Sequence, residues 1–239
     1  LAVGAIVFLM TWLFFYSRGD RLRSAAGAAP EEDLPGASLA EAIRAPALYK
    51  LGFGIFTGYV MTIAVLVHLM PILEGDGLKA KPAALVAGLF GLFAMVGKLI
   101  CGTLVNRWPG HLLAAAMAAV AIPGYLILMA PGQPVLLLAF AVALIGTTGG
   151  ALLKMSVYLT TRHFGLRSFA TIYGFVGGAL TISGGLGPLI GGVMFDHFGD
   201  YRLVLALGIL LAIASMLLMV WLGDYPEARA ARGLAKVSA

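Results

Sequence analysis

The chain has 239 residues, of which 61% are hydrophobic and only 11% are charged, and its mean hydropathy is +0.97. A soluble domain carries about a quarter charged residues, so a chain with this few cannot cover a water-facing surface, and its surface must face lipid. The net charge of +5 does not indicate a nucleic-acid interface, because the basic residues lie in short gaps between apolar runs. The single cysteine, Cys101, excludes an intramolecular disulfide and a paired-cysteine metal site.

An apolar run over residues 1–17 opens the chain. It has no basic region before it and no small-residue cleavage site after it, which argues against a signal peptide. The run starts at Leu1 within apolar sequence. We therefore expect it to be the end of a transmembrane helix whose beginning lies upstream, and the chain to be a fragment.

Residues 18–47 form a basic gap rich in Ala, Gly and Pro, which we expect to be a mostly disordered linker. Near its end, Ser38 and Glu41 have the spacing of a capping box. This pattern predicts a short helix that runs to about Arg44 and stops at Pro46.

Six apolar segments follow, each of a length suited to a helix that crosses a bilayer. The gaps between them contain Pro, Gly or charged residues, as turns between membrane helices do. The segments lack the two-residue alternation of membrane β-strands, so the predicted fold class is all-α integral membrane. The segments are residues 48–72, 83–105, 112–130, 135–160, 169–195 and 203–222.

The basic residues in the gaps predict the orientation of the chain. Alternate gaps on one side, which include the linker and the tail at residues 223–239, carry eleven Lys or Arg when Lys50, just after the linker, is counted with them. The other side carries only Lys79, Lys81 and Arg202. Because cytoplasmic loops are enriched in Lys and Arg, we expect a multi-pass protein of the plasma (inner) membrane with the linker and the C-terminus in the cytoplasm.

Two motifs resemble those of the major facilitator superfamily. The stretch from Gly102 through Asn106 and Arg107 to Gly110, read as Gly-Thr-Leu-Val-Asn-Arg-Trp-Pro-Gly, resembles the Gly-x-Leu-Ala-Asp-Arg-x-Gly signature between helices eight and nine. Asn106 stands where the signature has an acidic residue. Residues 184–192, read as Gly-Gly-Leu-Gly-Pro-Leu-Ile-Gly-Gly, resemble the Gly-Pro-x-x-Gly-Gly motif of helix five, here in its repeat-related helix eleven.

The layout of the chain is similar to the second half of that family. The resemblance implies the end of helix six at residues 1–17, a cytoplasmic linker at residues 18–47, a six-helix C-terminal bundle at residues 48–222 and a cytoplasmic tail. It also implies that an N-terminal six-helix half is missing, and that transport proceeds by alternating access around a site near the midplane.

Three further stretches are similar to prokaryotic members of the monocarboxylate and oxalate–formate branch. They are residues 68–73, 162–167 and 195–202. This finer resemblance implies that the cargo is a small organic anion, a monocarboxylate or dicarboxylate, and that it moves with a proton or by exchange.

Two lysines, Lys98 and Lys154, lie within the second and fourth apolar segments, at similar depths from the basic side. An ionisable residue within a membrane helix is costly and usually faces a cavity or a partner. We predict that both lysines bind the anionic cargo, and the resemblance implies a cationic substrate contact at about the position of Lys98. The alternative is that each side chain snorkels to the cytoplasmic surface or has an internal partner.

Tyrosines and histidines supply further candidates. Tyrosine can hydrogen-bond a carboxylate while it packs against apolar neighbours, although core packing is the alternative. The tyrosines within the segments are Tyr59, Tyr158 and Tyr173. His68 is a candidate for proton coupling because histidine titrates near physiological pH, with an interfacial hydrogen bond as the alternative. The other histidines are expected to be solvated, namely His111, His163 and His197.

Residues that could take part in gating form two groups. Arg107, Arg162 and Arg167 lie at the predicted cytoplasmic ends of helices, where they either close a gate or anchor the topology. The second group surrounds Pro188, which should bend its helix. Its glycine pair, Gly187 and Gly191, permits close backbone approach, either in a helix that moves during transport or in static packing.

Several classes of function remain as alternatives. The segments contain no acidic residue and one histidine near an end, so we predict no catalytic residue, no metal site and no cofactor. The expected partners are the lipid bilayer, the missing half, the small organic anion and protons, without nucleic acid. The alternatives are a carrier for another small solute, such as a drug or a sugar, and a non-transporting membrane sensor or assembly subunit.

Overall fold

The computed structural model describes residues 36–225. The predicted helix end at residues 1–17, most of the linker and nearly all of the tail lie outside the described residues. Residues 36–225 form eight helices and no strand. The helices are α1 (Leu39–Arg44), α2 (Pro46–Val67), α3 (Leu69–Gly75), α4 (Ala80–Leu104), α5 (Gly110–Met129), α6 (Val135–Phe164), α7 (Phe169–Phe198) and α8 (Arg202–Leu222).

All of the helices except α1 and α3 are long and apolar enough to cross a membrane. These six helices have 20 to 30 residues and correspond to the six predicted segments, which confirms the all-α membrane class. The α4–α5 and α6–α7 turns lie at the same end of the bundle as α1, and we call this end the basic end. The other side is the opposite end.

The first predicted segment, residues 48–72, is not one continuous helix. Helix α2 ends at Val67, and α3 begins at Leu69 after His68. The reason is Pro71, which has no N–H to donate to the Val67 carbonyl and whose ring would clash with it. The helix is therefore interrupted one turn before the proline.

The six long helices pack with two of them at the flanks. Helices α2, α6, α5 and α8 form a ring in which each contacts the next. Helix α4 packs chiefly against α6, and α7 packs chiefly against α2. Because each has one principal neighbour, α4 and α7 are the least buried of the six, and broad faces of both are exposed.

Glycines make the contact between α4 and α6 a backbone contact. A Cβ atom on Gly150 would collide with the carbonyl of Ala94, and one on Gly97 would collide with the carbonyl of Thr147. A Cβ atom on Gly146 would lie 2.6 Å from the carbonyl oxygen of Phe90. Close approach of this kind replaces the hydrophobic driving force that is missing between helices in lipid.

Polar side chains add bonds between helices where backbone carbonyls are within reach. Ser215 of α8 donates to the Gly54 carbonyl of α2 at 2.7 Å. Lys50, in the first turns of α2, donates to the Trp221 carbonyl at 3.0 Å. That carbonyl lies in the last turn of α8, where helical carbonyls have no partner in their own helix, so Lys50 caps the end of α8.

The short helix predicted before the first span is present. Ser38 accepts from the Glu41 N–H at 3.3 Å and donates its own N–H to the Glu41 carboxylate at 2.8 Å, which completes the capping box. Pro46 follows the end of α1, as expected, and is also the first residue of α2, where its missing N–H costs nothing.

Replacement of Gly150 by alanine tests the α4–α6 contact. We expect Gly150→Ala to destabilise the bundle by about 1–3 kcal/mol, because the new methyl group meets backbone that cannot move without separating the helices. Cys101 is fully buried and is the chain's single cysteine, so its reaction with a thiol-specific fluorophore during heating in detergent reports unfolding.

Gly91→Ala is the matched control, because a Cβ atom on this α4 glycine meets nothing within 4 Å. This variant should unfold at or above the temperature of the unaltered chain, since alanine favours the helix. Equal unfolding temperatures for the two variants would contradict the packing described here.

Candidate functional site

The two lysines within the spans lie on exposed faces of neighbouring helices. Lys154 of α6 and Lys98 of α4 are both exposed. The Lys154 Nζ atom lies 4.0 Å from the position that a Cβ atom on Gly102 would occupy. Lys98 precedes Gly102 by four residues, roughly 6 Å along α4. The Lys154 side chain therefore lies against the part of α4 that carries Lys98 and the first glycine of the signature motif.

No acidic residue balances these two charges. Helices α4 and α6 contain neither Asp nor Glu, and within residues 36–225 neither lysine has an ion-pair partner. The Lys154 side chain reaches toward the last turn of α4, which ends at Leu104. This direction is also the one that a snorkelling lysine would take, and the partial negative charge of a helix C-terminus favours a cation there.

Two of the candidate tyrosines already contact protein groups. Tyr158 follows Lys154 by one turn, but its ring packs beside Gly110 and lies edge-on to Tyr225, with 6.4 Å between centroids. The hydroxyl of Tyr173 lies 3.4 Å from the Ser156 Oγ atom.

Tyr59 is the candidate whose hydroxyl is unengaged. It is half-buried on α2, and its side chain makes no hydrogen bond within the described part of the chain. A tyrosine with an available hydroxyl keeps the capacity to bind a carboxylate. Tyr59 is thus the tyrosine best suited to a ligand.

The signature motif forms the turn between α4 and α5. Asn106 and Arg107 are exposed, and neither side chain makes a hydrogen bond or an ion pair within residues 36–225. The last residue of the motif, Gly110, is buried at the start of α5, and its N–H donates to the Tyr225 hydroxyl at 3.0 Å. The hydrogen bond from this motif to the residues after the last span is therefore made by its glycine to a tyrosine.

Tyr225 is a residue that the sequence reasoning missed. It lies three residues after the end of α8 and is only 9% exposed. The Arg162 guanidinium lies over its ring at 4.9 Å, and the His163 ring meets it edge-on at 5.0 Å. Burial raises the pKa of Tyr225 to about 12, and Tyr158 adds to the rise. The signal in the sequence was an aromatic residue at the end of a span, where Tyr and Trp are common.

The expectation that His111, His163 and His197 are all solvated is wrong for two of them. His111 is 7% exposed and His163 is 8% exposed. His111 is buried because α5 begins at Gly110, two residues before the predicted segment, and His163 because α6 continues past residue 160 and packs against Tyr225. His197 is exposed, as predicted.

A further cationic residue of the basic end, Arg167, interacts electrostatically with the segment before α2. The charge of Arg167 acts on the Glu41 carboxylate of α1. The pKa of Glu41 lies below its ordinary value, chiefly because the Ser38 N–H donates to it and to a smaller extent because of Arg167. The Ala37 N–H donates to the Phe164 carbonyl at 2.7 Å, so this segment rests on the α6–α7 turn.

His68 lies at the opposite end, at the break between α2 and α3. Its two ring nitrogens lie close to the Pro188 carbonyl and to the Tyr201 hydroxyl. The structure therefore brings His68 and Pro188 together but places them away from the two lysines. The described residues contain no group of three or more His, Cys, Asp or Glu side chains able to hold a metal ion.

Replacement of Tyr225 tests how the basic end is held together. Tyr225→Phe keeps the ring beside Arg162 and His163 but leaves the buried Gly110 N–H without its acceptor. We expect a loss of about 1–3 kcal/mol of stability, as for other unsatisfied buried donors. Tyr225→Ala should cost more, because the ring is lost as well. Thermal unfolding followed by Cys101 labelling measures both losses.

Tyr49→Phe is the control for this pair. Tyr49 is an exposed tyrosine of α2 near the same end, and its hydroxyl has no hydrogen-bond partner within residues 36–225. The control should unfold like the unaltered chain. If Tyr225→Phe does so too, the bond to Gly110 contributes nothing to stability.

Comparison with known proteins assigns the chain to a family. The family model of the Major Facilitator Superfamily matches residues 83–237, more than half of the chain. The match runs from α4 through the last span and includes the signature motif. No curated protein matches the chain. The chain belongs to the major facilitator superfamily and is a membrane transporter protein of that family.

Proposed function

We propose that this chain is the C-terminal half of a secondary transporter that moves a small organic anion, a monocarboxylate or dicarboxylate, by alternating access. The observation that carries the proposal is the pair of exposed lysines, Lys98 and Lys154, on adjacent faces of α4 and α6. Family membership supports transport, and the two lysines support the class of cargo.

The charge of the lysine pair favours an anion over a neutral or cationic solute. At 4 Å, a carboxylate and an ammonium group attract each other by about 4 kcal/mol at an effective dielectric constant of 20. Two ammonium groups without a carboxylate nearby repel each other, and an anion between them relieves that repulsion. Tyr59, with its unengaged hydroxyl, is the most suitable further ligand.

The exposed faces of the flanking helices support a second six-helix bundle as the partner. Glycines on α4 and on α7 have open space where a Cβ atom would stand, among them Gly88, Gly91, Gly174 and Gly178. Faces of small residues permit close helix contact. In transporters of alternating access, the cargo binds between two such bundles, so each bundle supplies one side of the site.

The remaining parts of the proposal concern orientation and coupling. Because of the excess of Lys and Arg at the basic end, we place that end in the cytoplasm and the protein in the plasma membrane. The cargo moves with a proton or in exchange for a second anion. Arg107, exposed in the α4–α5 turn, is available to contact the partner bundle when the basic end closes.

Neutralising the lysine pair in the full-length protein tests the site. We expect the double variant Lys98→Gln and Lys154→Gln to lose about tenfold to a hundredfold in kcat/KM for anion uptake into proteoliposomes, which corresponds to about 1.4 kcal/mol per factor of ten. A panel of labelled monocarboxylates and dicarboxylates provides the measurement.

The control removes the same charge elsewhere. Lys79→Gln with Lys81→Gln alters two lysines around the start of α4, at the opposite end, and should leave uptake unchanged. Unchanged anion uptake in the variant of Lys98 and Lys154 would refute the assignment of the site. Uptake of a neutral solute alone would favour the other carriers of the family.

The requirement for a second bundle has its own test. We expect the purified chain, reconstituted by itself, to show no anion uptake above that of empty liposomes, because it supplies one side of the site. Uptake that saturates with anion concentration would contradict this expectation. Circular dichroism before and after the assay checks that the helices remain folded.

A further inference from the structure

Two interruptions of helical structure lie at the opposite end of the bundle. The first is the break between α2 and α3, where His68 has φ −95° and ψ 12°. The second is Pro188 within α7, which has no N–H to donate to the carbonyl one turn earlier, that of Gly184. A helix bends most readily where its hydrogen-bond ladder is interrupted.

The two interruptions meet at a single hydrogen bond. The His68 Nε2 atom lies 3.0 Å from the Pro188 carbonyl oxygen. Because a carbonyl oxygen accepts only, Nε2 carries the proton and donates. The Nδ1 atom lies 3.2 Å from the Tyr201 hydroxyl, so in the neutral ring Nδ1 accepts from Tyr201, the residue before α8.

Close packing holds the imidazole at this point. A Cβ atom on Gly191 would lie 2.6 Å from Cδ2 and 2.9 Å from Nε2 of His68, so a side chain there would displace the ring. One turn earlier, a Cβ atom on Gly187 would collide with the Val60 carbonyl of α2. Helix α7 is therefore pressed against α2 and against His68 on the two sides of Pro188.

A second contact closes the arrangement beyond the proline. Phe195, near the end of α7, stacks on the Tyr201 ring at 4.6 Å between centroids. Tyr201 thus contacts α7 through Phe195 and contacts the α2–α3 break through His68. Three chain segments, the α2–α3 break, the end of α7 and the start of α8, are joined around one imidazole.

We propose that His68 links the α2–α3 break to the Pro188 bend, so that α3 and the part of α7 beyond Pro188 move as one unit when the opposite end opens and closes. The unit is a conformational device in this half of the transporter, and its role in transport rests on the function proposed above. The structural link itself can be measured without any transport.

A distance measurement between α3 and α7 tests the link. Glu74 of α3 and Val193 of α7 are exposed, so Glu74→Cys and Val193→Cys in a Cys101→Ala background accept spin labels. Pulsed electron paramagnetic resonance of the full-length protein in nanodiscs then gives the distribution of the distance between them. With His68 intact, we expect one narrow distribution.

Substitutions of His68 give the decisive comparison. His68→Phe fills the space but cannot donate to Pro188, so the narrow distribution should be lost. His68→Gln places an amide N–H near the position of Nε2 and should keep it. His197→Gln is the control, because this exposed histidine of α7 lies outside the arrangement, and it should also keep the narrow distribution.

Each outcome decides the proposal. A narrow distribution in His68→Phe overturns it, and so does a broad distribution in His68→Gln. If His68→Phe does not fold, His68→Leu takes its place, since it is smaller and also lacks a donor for the Pro188 carbonyl: a broad distribution supports the link and a narrow one overturns it. A link that holds in a protein without anion uptake would leave the link standing and refute the proposed function.

Discussion

The structure depends on the requirement that backbone hydrogen bonds in lipid are satisfied within the protein. Helices meet that requirement internally, and they then have little hydrophobic reason to associate, because lipid is as apolar as their side chains. In this chain, glycines supply the remaining attraction through close contact. Gly97, Gly146 and Gly150 bring the backbones of α4 and α6 together, and Gly187 does the same for α7 and α2.

At three places where the helical ladder is incomplete, a polar side chain bonds to a backbone group. Lys50 binds a carbonyl at the end of α8, Tyr225 accepts from the first N–H of α5, and His68 reaches the bend in α7. Against this background, Lys98 and Lys154 stand apart. Neither lysine makes a hydrogen bond or an ion pair within residues 36–225, and both are exposed, which is the basis of the anion site proposed above.

The sequence predicted what depends on local composition. Hydropathy located six spans, and Ser38 with Glu41 located α1. Contacts between residues distant in sequence could not be predicted in this way. Tyr225, for example, accepts a hydrogen bond from the Gly110 N–H, 115 residues earlier. The break at His68 was within reach, since Pro71 forbids a continuous helix, but a long apolar run concealed it. The candidate ligands were chosen by residue type, and two of the tyrosines proved to be engaged elsewhere.

The lengths of α6 and α7 have a consequence for the bilayer itself. Each has 30 residues, about 45 Å of helix, whereas the hydrocarbon core is about 30 Å thick. Both helices must therefore tilt or extend beyond the hydrocarbon core. The thickness of the membrane sets how much of the excess length is taken up by tilt and how much extends into the headgroup region. The turn that joins them is the surface on which Gly36 and Ala37 rest. Any change in the tilt of the two helices therefore also shifts the backbone to which the segment before α1 is hydrogen-bonded.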